Sequence, residues 1–93
     1  MTAKIWNKSW WIKETREKAL DRFFDDLVNR AGFNVVGTMD YEFTPYGYTR
    51  LWLLSESHLA FHTFPEEGKT YVELSSCNRA YFDTFVSEMD GGD

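Results

Sequence analysis

The pattern of apolar and polar positions predicts two helices. The first begins at about Thr15 and ends before Gly32, a residue type favoured for the left-handed cap that closes a helix. Its apolar positions recur at the spacing of one helix face, and they are Leu20, Phe23, Phe24, Leu27, Val28 and Ala31. The second follows Asn78, a capping residue type, and its expected buried face comprises Phe82, Phe85, Val86 and Met89. The terminal Gly91-Gly92-Asp93 is expected to fray.

Other segments have the apolar and β-prone character of strands. They are residues 5–12, 33–43, 48–54, 59–64 and 70–75. Turns at Pro45-Tyr46-Gly47 and Pro65-Glu66-Glu67-Gly68 are expected to join the last four as two antiparallel hairpins. Leu51 and Leu53 fall on one face of their strand. This order of elements predicts an α+β fold, a two-layer α/β sandwich with an antiparallel sheet and two helices on one face.

Composition narrows the class of protein. A chain of 93 residues is expected to form one domain, residues 1–93. Aromatic residues make up 18% of it, and the sheet face left without helices therefore favours a homodimer. The net charge is −5, and residues 31–93 hold three Lys or Arg against ten Asp or Glu, which argues against a nucleic-acid partner.

Cysteine and hydropathy indicate the compartment. Cys77 is the only cysteine, so the chain has neither an intramolecular disulfide nor a thiolate metal cluster. No apolar run has the length of a membrane span, and the N-terminus lacks the pattern of a signal peptide. These features favour a cytoplasmic protein without a membrane partner.

The Glu56-Ser57 bond is the most informative feature, because it lies between two strand-like runs with His62 nearby. A serine that attacks its own preceding peptide bond can become a covalent electrophile. Spacing alone leaves ordinary explanations open. Ser57 suits a polar turn, His62 suits a strand histidine with a local hydrogen bond, and Cys77 suits a small buried apolar site. His58 and His62 share a strand face, but no third metal ligand has convincing spacing.

A longer motif surrounds this bond. The sequence Glu-Ser-His-Leu-x-x-His-Thr-aromatic-Pro-Glu, from Glu56 to Glu66, is followed by Cys77 and resembles the S-adenosylmethionine decarboxylase family in its small prokaryotic form. The segment Phe43-Thr44-Pro45-Tyr46-Gly47-Tyr48-Thr49 is similar to that family's Phe-Ser-Pro-x-Gly-x-Ser. The resemblance covers about the central third of the chain.

The resemblance implies self-cleavage between Glu56 and Ser57 into a β chain, residues 1–56, and an α chain, residues 57–93. Ser57 becomes a covalent pyruvoyl group that forms a Schiff base with the substrate amine. The same resemblance makes His62 the processing base, gives Thr49 a supporting role in processing, and makes Cys77 the proton donor. No metal is implied.

The resemblance also implies a small-molecule substrate, S-adenosylmethionine, and a place in polyamine and spermidine biosynthesis. The residues that match the family's substrate-binding positions are Phe43, Leu59, Phe64 and Glu66. The chain departs from the family at Phe64, where Trp is usual, at Tyr46, where His is frequent, and at Arg50, where a small residue is usual. Arg50 is expected to bind a carboxylate, to pair with an acidic neighbour such as Glu42, or to face solvent.

Two other readings follow from these departures. One is a pyruvoyl-dependent arginine or ornithine decarboxylase of the same fold, since Arg50 would anchor the carboxylate of a free amino acid. The other is an uncleaved, non-catalytic paralogue that regulates an active partner, since Thr49 replaces the family's serine.

Overall fold

One antiparallel sheet and two helices make up a computed structural model that describes residues 2–91. The strands run in the order β1-β5-β4-β3-β2. Along the chain the elements are β1 (Trp6–Ile12), α1 (Glu17–Ala31), β2 (Val35–Glu42), β3 (Tyr48–Leu54), β4 (Ser57–Phe64), a 3₁₀ turn (Pro65–Glu67), β5 (Lys69–Ser76) and α2 (Arg79–Gly91). The predicted α+β sandwich is therefore confirmed.

The helix ends follow from the residues that cap them. Gly32 has a φ of 102° and its N–H donates to the Asn29 carbonyl, so α1 ends in the left-handed cap that the sequence predicts. A Cβ at Gly32 would lie 2.8 Å from the Tyr81 ring. A larger residue here would therefore have to displace that ring as well as adopt a positive φ. Asn78 caps α2, because its Oδ1 accepts a hydrogen bond of 3.0 Å from the Tyr81 N–H.

Some boundaries differ from the prediction. Helix α1 begins at Glu17 rather than Thr15, and the turn before β5 is a short 3₁₀ helix. Gly91 is the last residue of α2, while Gly92 and Asp93 lie outside the described residues. Across residues 2–91, neither helix has the length and apolarity needed to span a membrane.

The core lies between the sheet and the helices. Its largest fully buried side chains include Trp52, Phe24, Phe61 and Phe85. Because side chains alternate along a strand, residues 52, 54, 59, 61, 72 and 74 all face the helices. Phe23 departs from the apolar stripe predicted for α1, since it is 45% exposed.

Within residues 2–91, no helix covers the opposite face of the sheet. Leu51 and Leu53 lie on it together, as predicted, but they are 43% and 57% exposed rather than part of the core. Met39 and Tyr41 extend this surface onto β2 and are more exposed still. We call this surface, Met39, Tyr41, Leu51 and Leu53, the open apolar face.

Candidate active site

A two-residue loop, Ser55-Glu56, joins β3 to β4 and ends at Ser57. Glu56 has a φ of 59° and is the one residue other than glycine with positive φ among the described residues. A left-handed conformation brings the Cβ of an L-residue close to its own backbone and stores about 1–2 kcal/mol. The strained residue is therefore the one whose carbonyl precedes Ser57.

Cys77 holds that carbonyl. Its backbone N–H donates to the Glu56 carbonyl oxygen at 3.3 Å, and its thiol donates to the same oxygen at 3.0 Å. Two donors on one carbonyl oxygen are the arrangement that stabilises negative charge when a nucleophile attacks the carbonyl carbon.

The Cys77 thiol also contacts the Glu56 side chain, with 3.3 Å between Sγ and Oε1. Partial burial raises the pKa of the Cys77 thiol, and the hydrogen bond and negative charge of Glu56 raise this pKa further. The thiol is therefore held in its protonated form, which is the form that can donate a proton.

Ser57 points into the layer between sheet and helices. It is 8% exposed and its hydroxyl donates to the Ser76 Oγ at 2.7 Å. Ser76 is fully buried and pairs with Ser57 across β4 and β5. Sequence reasoning missed Ser76, because the pairing of these strands is a tertiary contact that no local motif specifies.

His62 and Thr49 meet on the open side of the sheet. They are cross-strand partners on β3 and β4, and 2.8 Å separates Thr49 Oγ1 from His62 Nδ1. The His62 ring also stacks on Tyr71 of β5, with 6.2 Å between ring centroids. The hydroxyl and the aromatic ring together fix the orientation of the imidazole.

A cavity of about 290 Å³ adjoins this pair. Its lining includes Phe43, Tyr46, Phe64 and Glu66, together with Thr49 and His62. Aromatic faces and an exposed carboxylate are suited to a planar ring and to hydroxyl donors, respectively. Three of the four residues that match the family's substrate-binding positions therefore lie together.

Leu59 does not join them. It is fully buried on the helix side of β4 and belongs to the hydrophobic core. Period-two alternation directs its side chain away from His62, so the part of Leu59 nearest the open side of the sheet is its backbone, and its place among the substrate-binding residues stays a prediction.

The predicted catalytic residues form two groups rather than one. The cleavage group comprises Glu56, Ser57 and Cys77, and the histidine group comprises Thr49 and His62. Ser57 is the first residue of β4 and His62 lies five residues further along it, a separation of about 16 Å at about 3.3 Å per residue. Within one chain the histidine cannot reach Ser57.

Arg50 lies on the side of the sheet away from the histidine group. Its guanidinium is 3.2 Å from Asp25 and 3.4 Å from Asp21 of α1, with a longer contact of 3.9 Å to Asp40. The side chain is 16% exposed and its guanidinium lies over the Trp52 ring. The expectation that Arg50 pairs with an acidic neighbour is confirmed, although the partners are Asp21, Asp25 and Asp40 rather than Glu42. The expectation of a solvent-facing side chain is wrong, because Arg50 is only 16% exposed.

Metal binding has no support in the part of the chain that the structure describes. No three His, Cys, Asp or Glu side chains lie close enough together to hold an ion among residues 2–91.

An α+β sandwich with a strained residue before Ser57 and two Cys77 donors on the Glu56 carbonyl oxygen is the class of protein to be compared with known families. The family model described as S-adenosylmethionine decarboxylase matches residues 13–89. The chain therefore belongs to the S-adenosylmethionine decarboxylase family.

Among its relatives are proteins called S-adenosylmethionine decarboxylase proenzyme. The one from Archaeoglobus fulgidus is 31% identical over 62 residues, which are 67% of this chain and 55% of the relative. The one from Symbiobacterium thermophilum is 40% identical over 60 residues, which are 60% of this chain and 46% of the relative. The chain thus spans about half the length of these curated relatives.

A solved structure supports the fold. The adenosylmethionine decarboxylase from Aquifex aeolicus superposes with a TM-score of 0.67 over 92% of this chain and 78% of that one. The sequence identity is 21%, so this likeness concerns the architecture alone.

Proposed function

We propose that the chain is the precursor of a pyruvoyl-dependent S-adenosylmethionine decarboxylase of polyamine biosynthesis, and that it cleaves itself between Glu56 and Ser57. The observation that carries the proposal is the pair of Cys77 donors on the Glu56 carbonyl oxygen. The left-handed Glu56 and the family membership add support, and the word proenzyme in the names of the relatives agrees with a processed product.

The first step is an acyl shift from nitrogen to oxygen. The Ser57 Oγ attacks the Glu56 carbonyl carbon, the bond from that carbon to the Ser57 nitrogen breaks, and the hydroxyl proton ends on the released amine. An ester then joins Glu56 to the Ser57 side chain. Cys77 stabilises the negative charge that develops on the carbonyl oxygen during the attack.

The second step needs a base. Removal of the Ser57 α-proton breaks the bond from Cβ to Oγ and releases the Glu56 carboxylate. The dehydroalanine left at residue 57 takes up water and loses ammonia, which leaves the pyruvoyl ketone. His62 has the imidazole for this step, and its hydrogen bond with Thr49 holds the ring in one orientation.

A second copy of the chain supplies that base. His62 lies about 16 Å from Ser57 of its own chain, so its role in processing requires a neighbouring protomer. The open apolar face offers the surface for a face-to-face homodimer, since sheets pack through such surfaces about 10 Å apart. Each of the two sites in the dimer then combines the cleavage group of one protomer with the histidine group of the other.

After cleavage, the pyruvoyl ketone supplies an electron sink for loss of carbon dioxide from the substrate. The side chains bind the substrate and return the proton. Phe43 and Phe64 offer ring faces to adenine, and Glu66 offers an acceptor to the ribose hydroxyls. Cys77, kept protonated by burial and by Glu56, returns a proton to the product.

The position of Arg50 favours this substrate over a free amino acid. A carboxylate anchor for arginine or ornithine would have to reach the cavity, whereas Arg50 pairs with Asp21 and Asp25 on the helix side of the sheet.

Denaturing mass spectrometry of the purified protein tests the cleavage. Two fragments that meet at Glu56 and Ser57 are expected, with the α chain carrying pyruvoyl and sensitive to carbonyl reagents. A chain that stays intact and resists hydroxylamine would refute the processing mechanism. Release of carbon dioxide from carboxyl-labelled S-adenosylmethionine tests the activity, and release from ornithine or arginine alone would contradict the substrate assignment.

Complementation tests the shared site. A His62→Ala chain keeps Ser57, and a Ser57→Ala chain keeps His62. When the two are co-expressed with distinguishable tags, cleavage is expected in the His62→Ala chain, and that variant expressed alone should stop at the ester. Absence of cleavage in the mixed dimers would mean that His62 does not act across the interface.

A further inference from the structure

We propose that Ser76 is a positioning residue for the nucleophile Ser57, an inference that rests on the self-cleavage proposed above. The Ser57 hydroxyl has one side-chain partner among the described residues, the Ser76 Oγ at 2.7 Å. Ser76 itself contacts neither the Glu56 carbonyl nor His62 in the hydrogen bonds of residues 2–91.

The direction of the hydrogen bonds supports this role. The Ser76 Oγ accepts from the Asn78 N–H at 2.9 Å, and its own proton is directed at the Asn78 carbonyl at 3.3 Å. A hydroxyl has one proton and two lone pairs. The remaining lone pair of Ser76 is the one that receives the Ser57 proton, so Ser57 is the donor and keeps its own lone pairs for attack.

Burial makes this contact hard to replace. Ser57 is 8% exposed and Ser76 is fully buried. Water has little access to a replacement position there, so removal of the Ser76 oxygen leaves the Ser57 hydroxyl without an acceptor and free to take other rotamers.

The end of β5 thereby holds both reacting groups. Cys77 fixes the Glu56 carbonyl through two donors, and the preceding residue, Ser76, fixes the hydroxyl that attacks it. The turn into α2 stabilises this end of the strand, because Asn78 both contacts Ser76 and caps the helix.

The role predicts which step slows. In the acyl shift the hydroxyl proton passes to the Ser57 nitrogen, and Ser76 neither gains nor loses a proton. A Ser76 substitution therefore slows ester formation. It leaves unchanged the rate of the later elimination, in which His62 is the base. Mispositioning of a reacting group by about 1 Å costs about 100-fold in rate, so we expect Ser76→Ala to be processed about 10- to 100-fold more slowly.

The adjacent Ser75 gives a matched control. It is on the same strand but on the opposite sheet face, paired with His58, and Ser75→Ala should be processed at the wild-type rate. Ser76→Thr keeps the hydroxyl and should recover processing. Ser76→Cys leaves no cavity, since a thiol is slightly larger than a hydroxyl, but it offers only a weak acceptor. It should therefore be slow even if Ser76→Ala folds poorly.

Each variant is followed by denaturing mass spectrometry with and without hydroxylamine, alongside its thermal midpoint. We expect the Ser76→Ala and Ser76→Cys chains to be processed slowly and to resist hydroxylamine. The Ser75→Ala chain should be processed at the wild-type rate. The inference would be overturned if Ser76→Ala and Ser76→Cys were processed at the wild-type rate, or if they accumulated a hydroxylamine-sensitive ester. Either result would leave self-cleavage intact. A wild-type chain that never cleaves would overturn both proposals.

Discussion

The left-handed conformation of Glu56 gives a quantitative prediction about stored strain. Glu56 has a φ of 59°, a conformation that costs an L-residue about 1–2 kcal/mol. Glycine adopts it without this penalty but loses about 0.4–1 kcal/mol through the greater entropy of its unfolded chain. The free energy of unfolding of the Glu56→Gly variant should therefore exceed that of the Glu56→Ala variant by about 1 kcal/mol.

The comparison of Glu56→Gly with Glu56→Ala isolates the backbone. Both variants remove the carboxylate that contacts Cys77, so they differ only in the Cβ. Measured in a Ser57→Ala background, where the chain stays intact, urea unfolding should favour glycine by about 1 kcal/mol. The thermal midpoint of the glycine variant should lie about 4–8 °C above that of the alanine variant, since about 1 kcal/mol shifts the midpoint by this amount in a domain of this size.

The same pair of variants, with Ser57 restored, tests whether the strain assists cleavage. If attack on the carbonyl relieves the left-handed strain, relief of about 1 kcal/mol corresponds to about a fivefold rate. The glycine chain should then form the ester about fivefold more slowly than the alanine chain. Equal or lower stability of the glycine chain would refute the strain, and equal rates with a stability difference would separate the strain from catalysis.

Three further predictions concern ionisable groups. Glu56→Gln in the Ser57→Ala background should speed alkylation of Cys77 by iodoacetamide at mildly alkaline pH, because one cause of the raised thiol pKa is removed; an unchanged or slower reaction would contradict the contact. Burial, and then the hydrogen bond to Asp21, raises the pKa of Tyr48 from 10.0 to about 12. Its contribution to stability is therefore present below pH 10.0 and is lost as pH rises through about 12. The phenolate absorbance step of highest pH should disappear in Tyr48→Phe, and its persistence would assign the step to another group. Arg50→Met should lower the free energy of unfolding by about 1–2 kcal/mol, because the partly buried Asp21 and the more exposed Asp25 lose their cation. The loss should be smaller at high salt, and no change in urea unfolding would mean that these pairs contribute little.

Much of the fold was predictable because its signals are local. Gly32 ends α1 and Asn78 begins α2 through contacts within a few residues. The strand at residues 48–54 was predicted with its observed bounds, since a turn precedes it and apolar residues fill it. The positions of Phe23 and Leu51 were harder to predict, because a periodic pattern identifies a face without saying what covers it.

The sequence by itself determined the chemistry on offer: a Glu56-Ser57 bond in a short turn, an imidazole at His62, a thiol at Cys77 and the family to which they belong. Only the tertiary structure decided how these groups are distributed. Strand alternation directs Ser57 and His62 to opposite faces, and the strand length separates them by about 16 Å. Cross-strand pairing, which depends on contacts far apart in the chain, brought Ser76 to Ser57 and Cys77 to the Glu56 carbonyl.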